Sequence, residues 1–171
     1  MRLRAAFAGV VAAGVWAAAE PALGRVFRTD YTDVRLLGAP LSRRHWRGVG
    51  TAAHLANGAA AGVLFDRLGL RGWKAGIVAA QVENALLWPG SVVIDRFHPD
   101  RRSAAWFPLL RNRRVFAQEV VVHALFGAVL GALLREKGRA PPSSRPRTRI
   151  GSASANRSPA GGAVSGRAPS T

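Results

Sequence analysis

Four apolar runs alternate with short polar stretches along the first 137 residues. They cover about 5–27, 48–65, 72–94 and 115–134. A helix crossing a bilayer needs roughly 20 mostly apolar residues, so each run is long enough or nearly so. The pattern predicts an all-α protein: a four-helix transmembrane bundle over residues 1–137. The first run is interrupted by Glu20-Pro21 and Arg25, and the third carries Lys74 near its start, where a long stem can snorkel. Trp46, Trp73, Trp88 and Trp106 fall near run ends or in loops, as interfacial anchors do.

Two runs share a pattern. His54, Gly58 and Gly62 are spaced by four, and so are His123, Gly127 and Gly131. Residues four apart lie on one helix face. The match continues upstream: Ala8–Ala13 resembles Ala75–Ala80, Pro21 precedes Pro89 by 68 residues, and Pro40-Leu41 resembles Pro108-Leu109. The reading is an internal duplication, two tandem helical hairpins entering the membrane in the same direction. A different reading of the N-terminus is a secretory signal, with Ala17–Ala19 as the small-residue cleavage site. The repeat of that segment within the third run favours its retention.

Residues 138–171 lack any apolar period and are rich in Ser, Pro, Arg, Gly and Ala. Such a segment cannot offset its ordering entropy and is expected to be a disordered basic tail. Its arginines, among them 145, 147, 149, 157 and 167, suit a solvated tail, with anionic lipid as an alternative partner.

Charge adds less than its size suggests. The chain carries a net +16, which in bulk would fit a nucleic-acid binder. The basic residues, however, sit in loops and tail and are nearly missing from the runs, so nucleic acid is not the expected partner and the lipid bilayer is. They divide almost evenly between the two sides of a four-span topology. The expected orientation has cytoplasmic termini in an inner (plasma) membrane. There is no cysteine, which removes disulfides and thiolate metal sites. The long loops, 29–47 and 95–114, hold short apolar pieces beside arginines, such as Val34–Leu37, that suit amphipathic interfacial helices. Arg43-Arg44 and Arg113-Arg114 read as interfacial anchors.

The candidate chemistry lies within the runs: Glu20, His54, Glu83, Glu119 and His123, accompanied by Asn57, Gln81 and Asn84. Ionisable groups at such depth usually face a helix interface or a water-filled cavity. Counted at about 1.5 Å per residue from the long-loop ends, they fall roughly 6 to 17 Å below the surface, in one half of the bilayer. Gly58, Gly62, Gly127 and Gly131 are expected to permit close helix approach, within the chain or in a homo-oligomer. Three roles follow. The groups bond one another as polar glue. They line a path for proton-coupled passage of a small solute. Or His54, Glu83, Glu119 and His123 bind a metal, as carboxylate–histidine bundles do. The spacing counts against metal, since those bundles use Glu-x-x-His twice and this chain has one Glu119-x-x-x-His123. Glu20-Pro21 and Pro89-Gly90 read as matching helix interruptions, a pattern that points to binding sites in transporters. No phosphate loop, nucleophile elbow or complete dinucleotide fingerprint occurs, so an enzyme is not the leading expectation and no cofactor is implied.

At Glu20-Pro21, His54 with Gly58, Gln81 followed by Pro89, and Glu119 with His123 and Gly127, the chain resembles the YagU-like multi-pass bacterial inner-membrane proteins. The resemblance covers the four runs and not the tail. It implies an inner-membrane location and carries no reaction with it. The leading expectation is a structural or interaction role in the membrane.

Overall fold

The computed structural model describes residues 2–103 and 108–135, so the expected tail lies outside the described residues. Among them the secondary structure is entirely helical. α1 spans Arg2–Phe27, α2 Asp33–Leu41, α3 Trp46–Arg67, α4 Trp73–Leu87, α5 Ser91–Phe97 and α6 Arg113–Leu133. Short 3₁₀ turns at Trp88–Gly90 and Pro99–Arg102 precede and follow α5.

Local chemistry explains four of the helix ends. The Thr32 hydroxyl accepts from the Arg35 amide and starts α2, and Asn112 accepts from the amides of Arg114 and Val115 and starts α6. Each satisfies donors that a helix N-terminus leaves free. α3 stops at Gly69, whose φ of +68° is the left-handed conformation glycine adopts without cost, with Leu70 N–H bonding back to Phe65 O. α1 ends the same way, with Thr29 N–H on Gly24 O, but the left-handed position is occupied by Arg28 at φ 53°.

Three stretches are long and apolar enough to cross a membrane: Arg2–Phe27, Trp73–Phe97 and Arg113–Leu133. α3 is of similar length at 22 residues but is not among them. Its polar His54 and Asn57 and its glycines dilute its hydropathy. The outward faces are apolar, with Leu3, Phe7 and Val26 on α1 and Val78, Val82, Leu86, Val92 and Val93 on α4–α5 all exposed.

The two expected interruptions behave differently. α1 runs without a break through Pro21, although that residue cannot bond the carbonyl of Ala17. The chain does break at Pro89, where α4 gives way to the 3₁₀ turn. The interruptions are therefore not a matched pair. Within the long 29–47 loop the chain forms a nine-residue helix, α2, over the apolar piece Val34–Leu37 and its neighbours.

α1 and α6 pack together at the centre. α3 lies against α1, α4 against α6, and α2 along α3. Small residues set both outer seams. A Cβ built on Gly9 would lie 1.9 Å from Gly58 O, and one on Gly62 would lie 2.1 Å from Ala5 O. On the other seam a Cβ on Gly76 would lie 2.0 Å from Gly127 O, and one on Gly131 2.4 Å from Gly72 O. All four glycines singled out in the sequence therefore stand at backbone-to-backbone contacts. The core between α1 and α6 holds Ala5, Ala8, Ala12, Ala13, Trp16, Val122, Phe126 and Leu130.

Candidate functional site

The site grows around Trp16, on the buried face of α1. Its ring meets His54 of α3 edge-on, with centroids 5.3 Å apart, and His123 of α6 at 4.5 Å. The two repeated histidines thus face one indole from opposite helices. The Trp16 Nε1–H donates to Glu20 Oε1 at 3.1 Å, one turn along α1. The same carboxylate oxygen accepts the backbone N–H of Asp33 at 2.7 Å. This contact draws the start of α2 down onto the end of the α1–α3 pair.

Asp33 links the remaining members. Its Oδ1 accepts from the Tyr31 hydroxyl at 2.5 Å, and its Oδ2 stands 3.8 Å from His54 Nδ1. The other ring nitrogen of His54, Nε2, lies 3.2 Å from Ala13 O, so the imidazole bridges α3 to α1 as well as to α2. On α6 the His123 Nδ1–H donates to Glu119 O at 2.8 Å and stands 3.5 Å from Glu119 Oε2. Gln118, beside Glu119, accepts from the Thr29 hydroxyl and donates to Tyr31 O at 3.2 Å. The segment 29–33 is therefore fastened to α1, α3 and α6 together.

Glu20, His54, Glu119 and His123 are all buried, as the run pattern required. Within the cluster one buried polar atom stays unsatisfied: Glu119 Oε1 has no hydrogen-bond partner among the described residues. The companions separate. Gln81 Nε2 donates to Val120 O at 2.7 Å and ties α4 to α6. Asn84 is buried on α4, and Glu83 is half-buried on the same helix with no hydrogen bond to the cluster. Asn57 is exposed on α3, so it lies outside the cluster to which the sequence assigns it. It sits three residues from His54, and the packed face of α3 is the stripe of His54, Gly58 and Gly62. Among the described residues no three His, Cys, Asp or Glu side chains converge as a metal site.

Trp16, Tyr31, Thr29, Asp33 and Gln118 were not legible as site residues. Trp16 precedes Glu20 by four positions, and that spacing is a usable signal for an indole–carboxylate bond. Tyr31 and Asp33 fall in the stretch between the first two apolar runs, just before and at the first residue of α2, and nothing local says that this stretch turns inwards. Burial, with Asp33 and then Glu119 nearby, holds the Tyr31 hydroxyl far above its ordinary value of 10, so it stays a donor. At the edge of the bundle His98 is buried, and its pKa is lowered by desolvation against the opposing pull of Asp100. Its Nδ1 accepts from the Asp100 N–H at 3.2 Å, a bond that requires that nitrogen to be unprotonated.

Above the cluster, at the long-loop end, lies a cavity of about 520 Å³. The ends of α1, α2 and α6 border it, and Thr29 and Tyr31 form part of its floor. No family model, curated protein or solved structure matches this chain.

Proposed function

We propose that this chain is a four-span protein of the inner membrane, of the YagU-like kind, built from two tandem copies of one helical hairpin with cytoplasmic termini. Its Glu–His cluster acts as a polar lock that holds the bundle and its α2 segment together, in a structural or interaction role. The observation that carries this reading is the way the cluster's polar groups are used. Trp16, Glu20, Asp33, His54 and His123 each bond another chain group, and the bonds cross from α1 to α2, α3 to α1, and the 29–33 segment to α6. Away from water such bonds have no solvent substitute, so removing one partner strands the other. The duplication is supported by corresponding contacts: Gly9 meets Gly58 as Gly76 meets Gly127, and Ala5 meets Gly62 as Gly72 meets Gly131.

A second reading, proton-coupled passage of a small solute, is favoured by one observation, the unpartnered Glu119 Oε1 buried between helices. One set of variants separates the readings. Glu119→Gln and His123→Asn are purified in detergent, and thermal unfolding, oligomer content and metal content are read. A lock loses stability or assembly in both variants. A conduit keeps both and loses pH-dependent flux in proteoliposomes. Metal present in the wild type and absent from the variants would replace both readings with a metal-binding one.

A further inference from the structure

Five arginines from three separate segments converge on the 520 Å³ cavity: Arg28 at the end of α1, Arg35 in α2, and Arg111, Arg113 and Arg114 around the start of α6. Asp30 is the single carboxylate in the lining. Arg35 is engaged, its Nε–H donating to Asp100 at 2.9 Å. Among the described residues the other four have no ion-pair partner. Anchors that only rest on a membrane surface have no reason to face one concavity. Four exposed arginines without an ion pair, against one carboxylate, give the lining a net positive charge suited to a multivalent oxyanion.

The walls are held in place before any ligand arrives. Thr29 is bonded to Gln118 of α6. The Asp95 carboxylate accepts the amides of Leu109 at 2.7 Å and Leu110 at 3.1 Å, which pins the opposite rim. Asn112 caps α6 beside Arg113. Arg28 adds an independent observation. It occupies a left-handed backbone position where helices commonly place glycine. Such a position persists where the surrounding structure holds it, and Arg28 is part of the cavity lining.

We propose that this cavity binds a phosphate group, and specifically the phosphate of an anionic phospholipid headgroup. Leu36, Leu109 and Val115 share the lining with the arginines. The cavity lies at the ends of two membrane-length helices, where headgroups are found. Its volume is of the size that small-molecule sites have. The lipid source rests on the membrane-spanning reading, whereas phosphate recognition does not.

The full chain, in nanodiscs of mixed phosphatidylglycerol and phosphatidylcholine, is extracted and its retained lipid read by native mass spectrometry. Membrane fractionation of the same cells tests the spanning reading separately. The expected result is at least ten-fold enrichment of phosphatidylglycerol, lost in Arg111→Gln/Arg114→Gln and reduced in Arg28→Gly. Arg43→Gln/Arg44→Gln, which removes equal charge outside the cavity, leaves the enrichment unchanged. The C-terminal arginines are present in every variant and cancel. Inorganic phosphate is tested in parallel by thermal shift. Protection by millimolar phosphate without lipid enrichment, abolished in the same double variant, would assign the site to a free anion and overturn the lipid source. Equal losses in the Arg43/Arg44 variant, or neither enrichment nor protection, would overturn the site itself. Arg28→Gly keeps the test usable if the double variant does not fold, because glycine suits that backbone better.

Discussion

Two residues sit where their own chemistry is unfavourable, and both give sharp tests. Arg28 holds a φ of 53°. For a non-glycine residue the left-handed conformation costs roughly 1–2 kcal/mol. Arg28→Gly is therefore expected to raise unfolding stability by about 1 kcal/mol, measured by chemical denaturation in detergent, while it weakens anion binding. A loss of stability would mean that the arginine side chain contributes more to the fold than its backbone costs. His98 is kept below its ordinary value of 6.5 by burial. Above that pH both folded and unfolded states hold it neutral, and nothing is lost. As pH falls below 6.5 the unfolded state takes up the proton first, so stability declines until the folded-state value is reached. The wild type is expected to lose more stability between pH 7 and pH 5 than His98→Asn, whose amide oxygen can still accept the Asp100 N–H. Parallel pH profiles for the two proteins would remove His98 from the account.

Helix seams are read best at the scale of the element. Gly9 and Gly14 are both on α1, yet their surroundings are opposite. A Cβ on Gly9 would overlap Gly58 O, while one on Gly14 would meet nothing within 4 Å. Gly9→Ala is expected to cost about 1–3 kcal/mol through forced separation of α1 and α3. Gly14→Ala is expected to be neutral or stabilising by up to about 1 kcal/mol. Thermal unfolding of the two variants side by side checks this, and equal effects would mean that the seam yields. The spacing of His54, Gly58 and Gly62, and of His123, Gly127 and Gly131, is enough to read these faces from sequence, because a four-residue period places them on one stripe. The partner of each stripe is not readable. Gly9 is one of three glycines in α1 and Gly76 is the one glycine of α4, neither with a four-residue glycine spacing within its helix to mark it. Pro21 and Pro89 show the reverse limit. The same residue type in corresponding runs leaves one helix intact and ends the other. Pro89 is followed by a glycine and preceded by a bulky tryptophan, whereas Pro21 sits in an alanine-rich helix that packs on α3 and α6.

For the whole molecule, the buried ties predict how it comes apart. The segment 29–33 is held by Thr29 to Gln118, by Asp33 N–H to Glu20 and by Tyr31 O to Gln118 Nε2. Thr29→Val and Gln118→Leu, made singly and together, are expected to be non-additive, with a coupling of about 1 kcal/mol. Additive losses would show that the two side chains act independently. If the coupling is present, hydrogen exchange in Gln118→Leu should rise in residues 29–41 before it rises in α4, which is tied to α6 through Gln81 and the glycine seam instead.

Run length, hydropathy and residue period were sufficient to place the four long helical stretches, the glycine stripes and the buried Glu20, His54, Glu119 and His123, because apolar surface, helix geometry and the cost of buried charge all act locally along the chain. They could not say that Trp16 stands between the two histidines, that Asp33 and Tyr31 leave their loop to join the cluster, or that Asn57 turns away from it. Nor could they distinguish arginines scattered along a membrane surface from arginines gathered on one cavity. Those outcomes depend on which helix packs against which. That choice is made between segments distant in the chain, by backbone contact at glycines and by hydrogen bonds whose partners lie up to 89 residues apart.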